Sequence, residues 1–557
     1  MVYQFKKKVK GNYYVFLGQN KKIGGRSVRI WSKSLGPLEK FQESIRTPPE
    51  KAPKNVSVLE FGGPFTFFAL AKKLGLVDII NQYVSKRKET VSVGEYILLI
   101  VLNRCLDPCS KRAIQEWYKH TALPRVLKIP EDIVRSDNFC RQMDIVLPVE
   151  RQVQDDICRA LIAQEKLDVS CLFYDATNQY LFVDEHKDQS LTQRGANKAK
   201  RFDLRQINIA LLVSRDGSIP LLHDTYAGNV HDAPQFRKII DMLVERFVLF
   251  AKQCHDITII FDKGNNSATN LQEMAKTPYH FVGSLKPYDF KELLDIPLGK
   301  YTEEYRNAQD QITKAHRLTW SVFGVKRTVV LTFDEQTKEK NIHTLRNNIS
   351  KRYGELQNLQ KKINSEFTKK RKSKWRKIAN IKKKVEEILS SCSTRGIIRY
   401  KVLKKNNKVT IRRWICSSVW KKKTKDFGKN ILFTDQDAWN TTDIIAAYRN
   451  KDALEKQFQL MKDPHIVSLA PNFHWLDNRI RMHVFTCVLA LQLIALLKRR
   501  LQQHKINVSV YEAIEQLQRI KEVSFSMEQQ RGAYRVLTEQ SESQKKLVKV
   551  FGLEEFC

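Results

Sequence analysis

A mixed α/β fold is predicted, and the middle third of the chain carries the observations that predict it. Val169 to Tyr174 is an apolar run ahead of Asp175, and Ile257 to Phe261 is a second one ahead of Asp262. Short runs of this kind, rich in β-branched and aromatic residues, read as buried strands. Gln206 to Val213 and Ile219 to Tyr226 read as two more, joined by the turn Arg215-Asp216-Gly217-Ser218, and Asp232 to Phe250 has helical spacing. Three strands in succession, then strand, helix (Ser267 to Lys276) and strand (His280 to Leu285), make a mixed sheet with helices packed on it.

The other elements follow in order. Residues 1–55 read as short strands with turns at Gly11 and Gly24-Gly25, ending in the Pro-rich stretch TPPEKAP. Residues 56–165 read as a helical region around the buried run Tyr96 to Leu102, with DNA-end binding or a structural role both open to it. Residues 166–290 hold the first part of the sheet. Residues 291–430 interrupt it with alternating strands at Leu318 to Phe323, Arg327 to Phe333, Ile397 to Leu403 and Val409 to Cys416. Between those strand pairs lies a basic segment, 338–390, with 17 Lys or Arg against 5 Asp or Glu. Leu345, Ile349, Leu356, Leu359 and Ile363 recur there at helical spacing, which predicts a helical hairpin. Residues 431–505 return to helix, with a break around Pro464 to Pro471. Residues 506–557 read as a helical tail, a candidate for dimerisation.

At 557 residues the chain is too long for one core. It carries 97 Lys plus Arg against 60 Asp plus Glu, a net charge of +37. Nucleic acid is the simplest partner for that excess, because each neutralised phosphate releases counterions. A merely basic structural protein has the same balance. The ten cysteines form no dense framework and read as reduced thiols of an intracellular protein. The N-terminus has no apolar signal core. The run Val484 to Leu497 is too short to span a bilayer and is flanked by cations, so it reads as a buried helix, with no membrane partner. No P-loop and no nucleophilic triad is present.

What remains is a set of carboxylates. Asp175 and Asp262 each follow an apolar strand, and in open α/β sheets ligands gather beyond the carboxyl ends of strands. A single strand-end Asp is more often a turn former. Two on neighbouring parallel strands repel each other unless a cation sits between them. The third element is TTDIIAAYRNKDALEKQFQLMK, in which Tyr448, Lys451, Glu455 and Lys462 fall on one helical face beside the apolar stripe Ala447, Leu454, Phe458 and Met461. Taken alone, an amphipathic helix with a solvated charged face explains that pattern. Three oxygen ligands suit Mg²⁺, with Mn²⁺ as a substitute.

These motifs together resemble the DDE transposases of bacterial insertion sequences, the group whose acidic helix carries a Tyr-x2-Arg-x3-Glu-x6-Lys signature. Tyr448, Lys451, Glu455 and Lys462 stand at that spacing. FYDATNQYLF surrounds the first acid, IIFDKGNNS the second, and RDGSIPLLHDTYAGNVHD, PNFHWLDNRIRMHVFTCVLAL, LNRCLDPCSKRAIQEW and SLGPLEKF extend the likeness over most of the chain. One departure is Lys451 in place of the arginine, a point charge where a bidentate fork is usual.

The resemblance implies a ribonuclease H-like core, a mixed sheet with helices on both faces, interrupted by a large β-containing insertion and preceded by a helical region. It implies DNA strand cleavage at the element's ends and transfer of the 3′-hydroxyl into target DNA. Asp175, Asp262 and Glu455 would hold two Mg²⁺ ions. Tyr448, Lys451 and Lys462, and Trp414 or Trp420 by stacking on a flipped base, would hold the DNA. Both tryptophans are more often strand-packing aromatics. The implied partners are double-stranded DNA with terminal inverted repeats and a second copy of the chain in a synaptic homodimer, in the bacterial cytoplasm on the nucleoid. A nuclease with the same core but no strand transfer, and an inactive or domesticated DNA-binding protein, are the alternatives.

Overall fold

The computed structural model describes the chain except residues 1, 10, 24–25, 42–52, 86–90, 184–189, 196–200, 217, 231, 247–248, 251–255, 368–374, 376, 391–393, 406–407 and 528–532. Backbone contacts divide it into two units, Met1–Ile260 with Thr269–Tyr279 and Asn450–Cys557, and Phe261–Ala268 with His280–Arg449. Both are mixed α/β, with sheet strands flanked by helices.

The first unit opens with an antiparallel meander, β1 (Val2–Val9), β2 (Asn12–Ile23) and β3 (Arg26–Pro37). Gly11, between β1 and β2, has φ 89°, a conformation that costs glycine little. Most of TPPEKAP lies outside the described residues, and β4 (Pro53–Glu60) begins at its end. Seven helices are then described: α1 (Gly62–Leu74), α2 (Leu76–Tyr83), α3 (Val93–Leu106), α4 (Ile114–Lys119), α5 (Leu123–Leu127), α6 (Ser136–Val146) and α7 (Glu150–Glu165). In α3 every residue except Glu95 is buried. Its start is fixed by a capping box: Ser92 Oγ accepts the Glu95 N–H and the Glu95 carboxylate accepts the Ser92 N–H. Such a cap is worth ~1 kcal/mol.

The unit's sheet follows. β5 (Cys171–Leu181) lies antiparallel to β7 (Arg205–Ser214), which also pairs with β6 (Gln193–Arg194) and β8 (Pro220–Ala227). After α8 (Asp232–Glu245), β9 (Ile257–Ile260) runs parallel to β5 from Cys171 opposite Thr258 to Phe173 opposite Ile260. The sequence ends the first of these strands before Asp175, but the strand continues to Leu181. β7 pairs with the polar stretch along its whole length, and ladder hydrogen bonds do not require apolar side chains.

The second unit takes up the chain at Phe261. Past α9 (Ala268–Met274), β10 (Tyr279–Ser284) and α10 (Lys291–Leu294) come β11 (Glu303–Arg306), β12 (Ile312–Val322) and β13 (Val325–Phe333). α11 (Glu335–Phe367) and α12 (Ile378–Leu389) form the hairpin expected in the basic segment, with Leu345, Ile349, Leu356, Leu359 and Ile363 all buried. They share a core with the hairpin β14 (Ile398–Lys405) and β15 (Lys408–Ile415), through Ile381, Val385, Ile398, Val409 and Ile411. α13 (Ser417–Thr424) leads to β16 (Lys429–Thr434). The strand order is β11-β12-β13-β16-β10, all antiparallel. α14 (Thr441–Arg449) closes the unit.

The chain then returns to the first unit with α15 (Asp452–Lys462) and α16 (Asp477–Gln503). α16 is longer than the apolar run predicted and is long and apolar enough to cross a membrane, but 94% of its apolar window is buried inside the protein. Gln492 donates to the Pro220 carbonyl of β8 and Cys105 of α3 to the Ala490 carbonyl, so the helix sits between sheet and N-terminal helices. The tail after residue 506 is not wholly helical as expected. α17 (Val510–Gln518) and α18 (Glu542–Val550) bracket β17 (Lys521–Met527) and β18 (Ala533–Leu537), and β17 pairs with β4. The alternation around Phe525 and Val536 is too short to read as sheet without that distant partner.

Candidate catalytic site

In the first unit Asp175 sits in the middle of β5, opposite Leu211 of β7. The four residues before it are buried, whereas Asp175 to Asn178 are partly exposed. The change comes from the brevity of β9, whose pairing with β5 stops at Phe173. The carboxylate is therefore held by a strand braced on one side, a stiffer mount than a strand end.

α15 is fastened to that same strand. Lys462 Nζ donates to Thr177 Oγ1 and to the Asn178 carbonyl, both at 2.7 Å. Glu455 lies exposed in the first turn of α15, where a carboxylate complements the positive end of the helix. Seven residues apart, Glu455 and Lys462 share a helix face. Leu454, Phe458 and Met461 are buried, as their stripe predicts.

In the second unit the Asp262 carboxylate accepts the Tyr448 phenol at 3.0 Å and the Lys263 N–H at 2.8 Å, through the same oxygen. Its carbonyl accepts the Asn265 N–H, and Asn266 Nδ2 donates to the Ser284 carbonyl of β10. These bonds fix the loop that follows the second acid. Asp232 opens α8, and His231 lies outside the described residues.

The single helix face expected to carry Tyr448, Lys451, Glu455 and Lys462 is interrupted. The chain turns at Asn450 and Lys451, so Tyr448 belongs to α14 and the other helical members to α15. Lys451, expected beside a DNA phosphate, is 7% exposed. Arg449 does not stand in for it: its guanidinium pairs with Asp334 at 2.6 Å and lies over the Tyr305 ring.

Sequence reasoning missed the strap that follows α15. Val467 and Ser468 both have positive φ, 62° and 49°. A β-branched residue held there stores about 1–3 kcal/mol of strain. Arg104, at the end of α3 and 3% exposed, holds the strap by donating to the Val467 and Ser468 carbonyls and to the Cys109 carbonyl. The Val467 N–H in turn donates to the Arg104 carbonyl. His483 of α16 is bonded to the Leu469 carbonyl, and the Leu469 N–H returns to Met461 of α15. No pattern near Val467 signals this, because the partner is some 360 residues upstream. Lys111 is buried nearby without a hydrogen-bond partner for its ammonium. Burial, with Arg104 alongside, lowers its pKa to about 7. Burial likewise lowers His474 to about 3 and drives His483 well below the usual imidazole value.

The two tryptophans differ. Trp414, on β15, is 49% exposed beside a hollow of ≈ 730 Å³ lined by Lys401, Arg412 and Arg413. Trp420 lies on α13, not on a strand, and packs against the apolar core of the helical hairpin. Among the described residues, no group of three or more His, Cys, Asp or Glu stands close enough to hold a metal ion. The cysteines among them are all free.

The chain matches no protein-family model and no curated protein. Among solved structures it is similar to the piggyBac transposase synaptic complex with hairpin DNA, seen by cryo-electron microscopy, at 9% sequence identity and a TM-score of 0.38, over 84% of this chain and 82% of that one. A likeness this remote bears on neither chemistry nor partners.

Proposed function

We propose that this chain is a DNA transposase of the ribonuclease H-like type, cutting phosphodiesters at the ends of a bacterial insertion sequence and joining the freed 3′-hydroxyl to target DNA. The observation that carries the reading is the fastening of α15 to β5 by Lys462, which puts the helix of Glu455 on the strand of Asp175. Counting along the chain supports it: Asp175 stands two residues past Phe173, and Asp262 two past Ile260, the last pair in the β5–β9 ladder. The Tyr448 phenol orients the Asp262 carboxylate.

Asp175, Asp262 and Glu455 would hold the divalent cations. Carboxylates alone suit Mg²⁺ or Mn²⁺, and the donor set contains no thiolate or imidazole. In this reading the three close to ligand distance only when DNA phosphate completes the donor set, since bare carboxylates repel. The ions supply charge neutralisation at the scissile phosphate. The protein's part is to aim carboxylates, exclude misplacement of the strand, and hold the backbone with Lys462, Lys451 and Trp414. We place two copies on paired ends of double-stranded DNA, in the bacterial cytoplasm.

The decisive experiment incubates the protein with its own element's termini, plasmid target and Mg²⁺ or Mn²⁺. Cut and joined products are expected, and Asp262→Asn is expected to bind DNA while cutting none of it. Robust cleavage by that variant would refute the assignment. The burial of Lys451 and the separation of the acids in the described structure favour, as a second reading, a DNA-binding protein without catalysis. The absence of any cut strand from wild-type protein with either metal would establish it.

A further inference from the structure

The first 38 residues hold no Asp or Glu, but nine cations: Lys6, Lys7, Lys8, Lys10, Lys21, Lys22, Arg26, Arg29 and Lys33. Chance solvated faces mix signs. The β1–β2–β3 meander turns this composition into a built surface. Phe5 and Phe16 face each other across the first two strands, stacked at 5.3 Å, and Tyr3 lies 5.6 Å from Phe5. Gly18 makes the packing possible, because a Cβ there would meet the Phe5 ring at 2.8 Å and Tyr3 at 3.3 Å.

Arg29 completes the stack. Its guanidinium lies 3.7 Å from the centre of the Phe5 ring, and its Nε donates to the Tyr3 hydroxyl at 2.8 Å. That hydroxyl donates onward to Asn20 Oδ1 at 2.9 Å. The arginine is exposed, and its two terminal amino groups have no hydrogen-bond acceptor among the described residues. A planar fork is thus held ready at the surface, its ordering cost already met by ring and phenol. Lys6, Lys7, Lys8 and Lys22 are exposed around it, while Lys21 is taken by Asp107 at 2.9 Å and ties the meander to the end of α3. Along the free edge of β3 a cleft of ≈ 600 Å³ adds Lys33 and Arg519 to the lining, with Glu539.

We propose that the meander is a duplex-DNA docking surface, on which Arg29 is the preformed phosphate fork. Charge complementarity selects a polyanion. The stack selects the duplex over a single strand, because the guanidinium already covers Phe5 and leaves no open ring for an unpaired base. The inference deepens the transposase reading and rests on its choice of DNA as substrate.

The test is binding of the full-length protein to a labelled random-sequence duplex by fluorescence anisotropy over a salt series. K6Q/K7Q/K8Q is expected to flatten the slope of log affinity against log salt by roughly 2–3, about 0.9 per lost phosphate contact. R29K keeps the charge and loses the fork, and is expected to weaken binding about tenfold. The matched triple K382Q/K383Q/K384Q on α12 is expected to leave the slope unchanged. An unchanged slope for the meander triple, equal losses from both triples, or losses confined to single-stranded oligonucleotide would overturn the proposal. Circular dichroism checks that the variants fold. The two readings fail separately: wild type that binds through the meander but never cuts removes only the transposase, and cutting without meander binding removes only this inference.

Discussion

The two units use the same cations in opposite ways. In the first, Arg104, Lys111 and Arg246 lie inside, at 3–5% exposure, where Arg104 binds carbonyls and Arg246 meets Asp155 at 2.9 Å. Arg499 and Arg500 both pair there with the buried Glu165. In the second, the basic helical hairpin wears its charge outside, and part of it is answered within a turn, as by Glu335 to Lys338 and Glu387 to Lys384. The lesson is that a net charge of +37 is not one property. Buried cations fix backbone geometry, paired surface cations solvate helices, and a polyanion is served by cations that are neither.

That contrast can be broken or sharpened by substitution. Arg104→Ala should have the largest effect, a loss of about 3 kcal/mol or more, because three carbonyls lose a charged donor and the strained strap loses its clamp. Thermal unfolding would show it as a fall of several degrees, and a shift under one degree would remove the clamp role. Lys111 comes next. With its folded pKa depressed to about 7 against an unfolded value of 10.5, the unfolded chain binds the extra proton between those limits. Stability of the first unit should therefore rise with pH from about 7 towards 10, and Lys111→Met should abolish that slope. His474, lowered to about 3, carries the same sign at acid pH, with stability lost as pH falls below about 6.5.

Tyr448→Phe should be milder, near 1 kcal/mol for one hydrogen bond to a carboxylate, with the fold intact and the Asp262 loop more mobile by hydrogen exchange. The smallest effect on stability belongs to a thiol. Cys416 is in the second unit, and hydrogen bonds from its Ser418 neighbour and the Val419 N–H lower its pKa to about 7. Burial pushes Cys158 and Cys171 of the first unit up to about 12. Iodoacetamide at neutral pH should label Cys416 first by mass spectrometry without changing the melting temperature. Earlier labelling of a buried thiol would contradict the contrast.

Local patterns were legible and distant pairings were not. The apolar runs at 169–174 and 257–261 announced β5 and β9, and the five-residue apolar spacing from Leu345 to Ile363 announced α11. Helical periodicity could not reveal the turn at Lys451, since α14 and α15 each keep it. Nor could it find β17, whose partner β4 is far upstream. Of the candidate site, the residue types and their spacing were readable. The link from Lys462 to Thr177 and the hold of Arg104 on the strap needed the folded chain, because each joins segments that share no sequence signal.

The β4–β17 pairing carries a consequence for biosynthesis. The Ser57 and Ser524 hydroxyls that meet across it are 467 positions apart. At roughly 5–20 residues per second a ribosome needs on the order of half a minute to a minute and a half to travel that far. Until then one edge of β4 waits without its neighbour, while the helices after it are already out of the tunnel. Maturation of the first unit is thus deferred to the close of translation, and a product cut short near residue 505 would emerge with that edge bare and prone to pair with other chains.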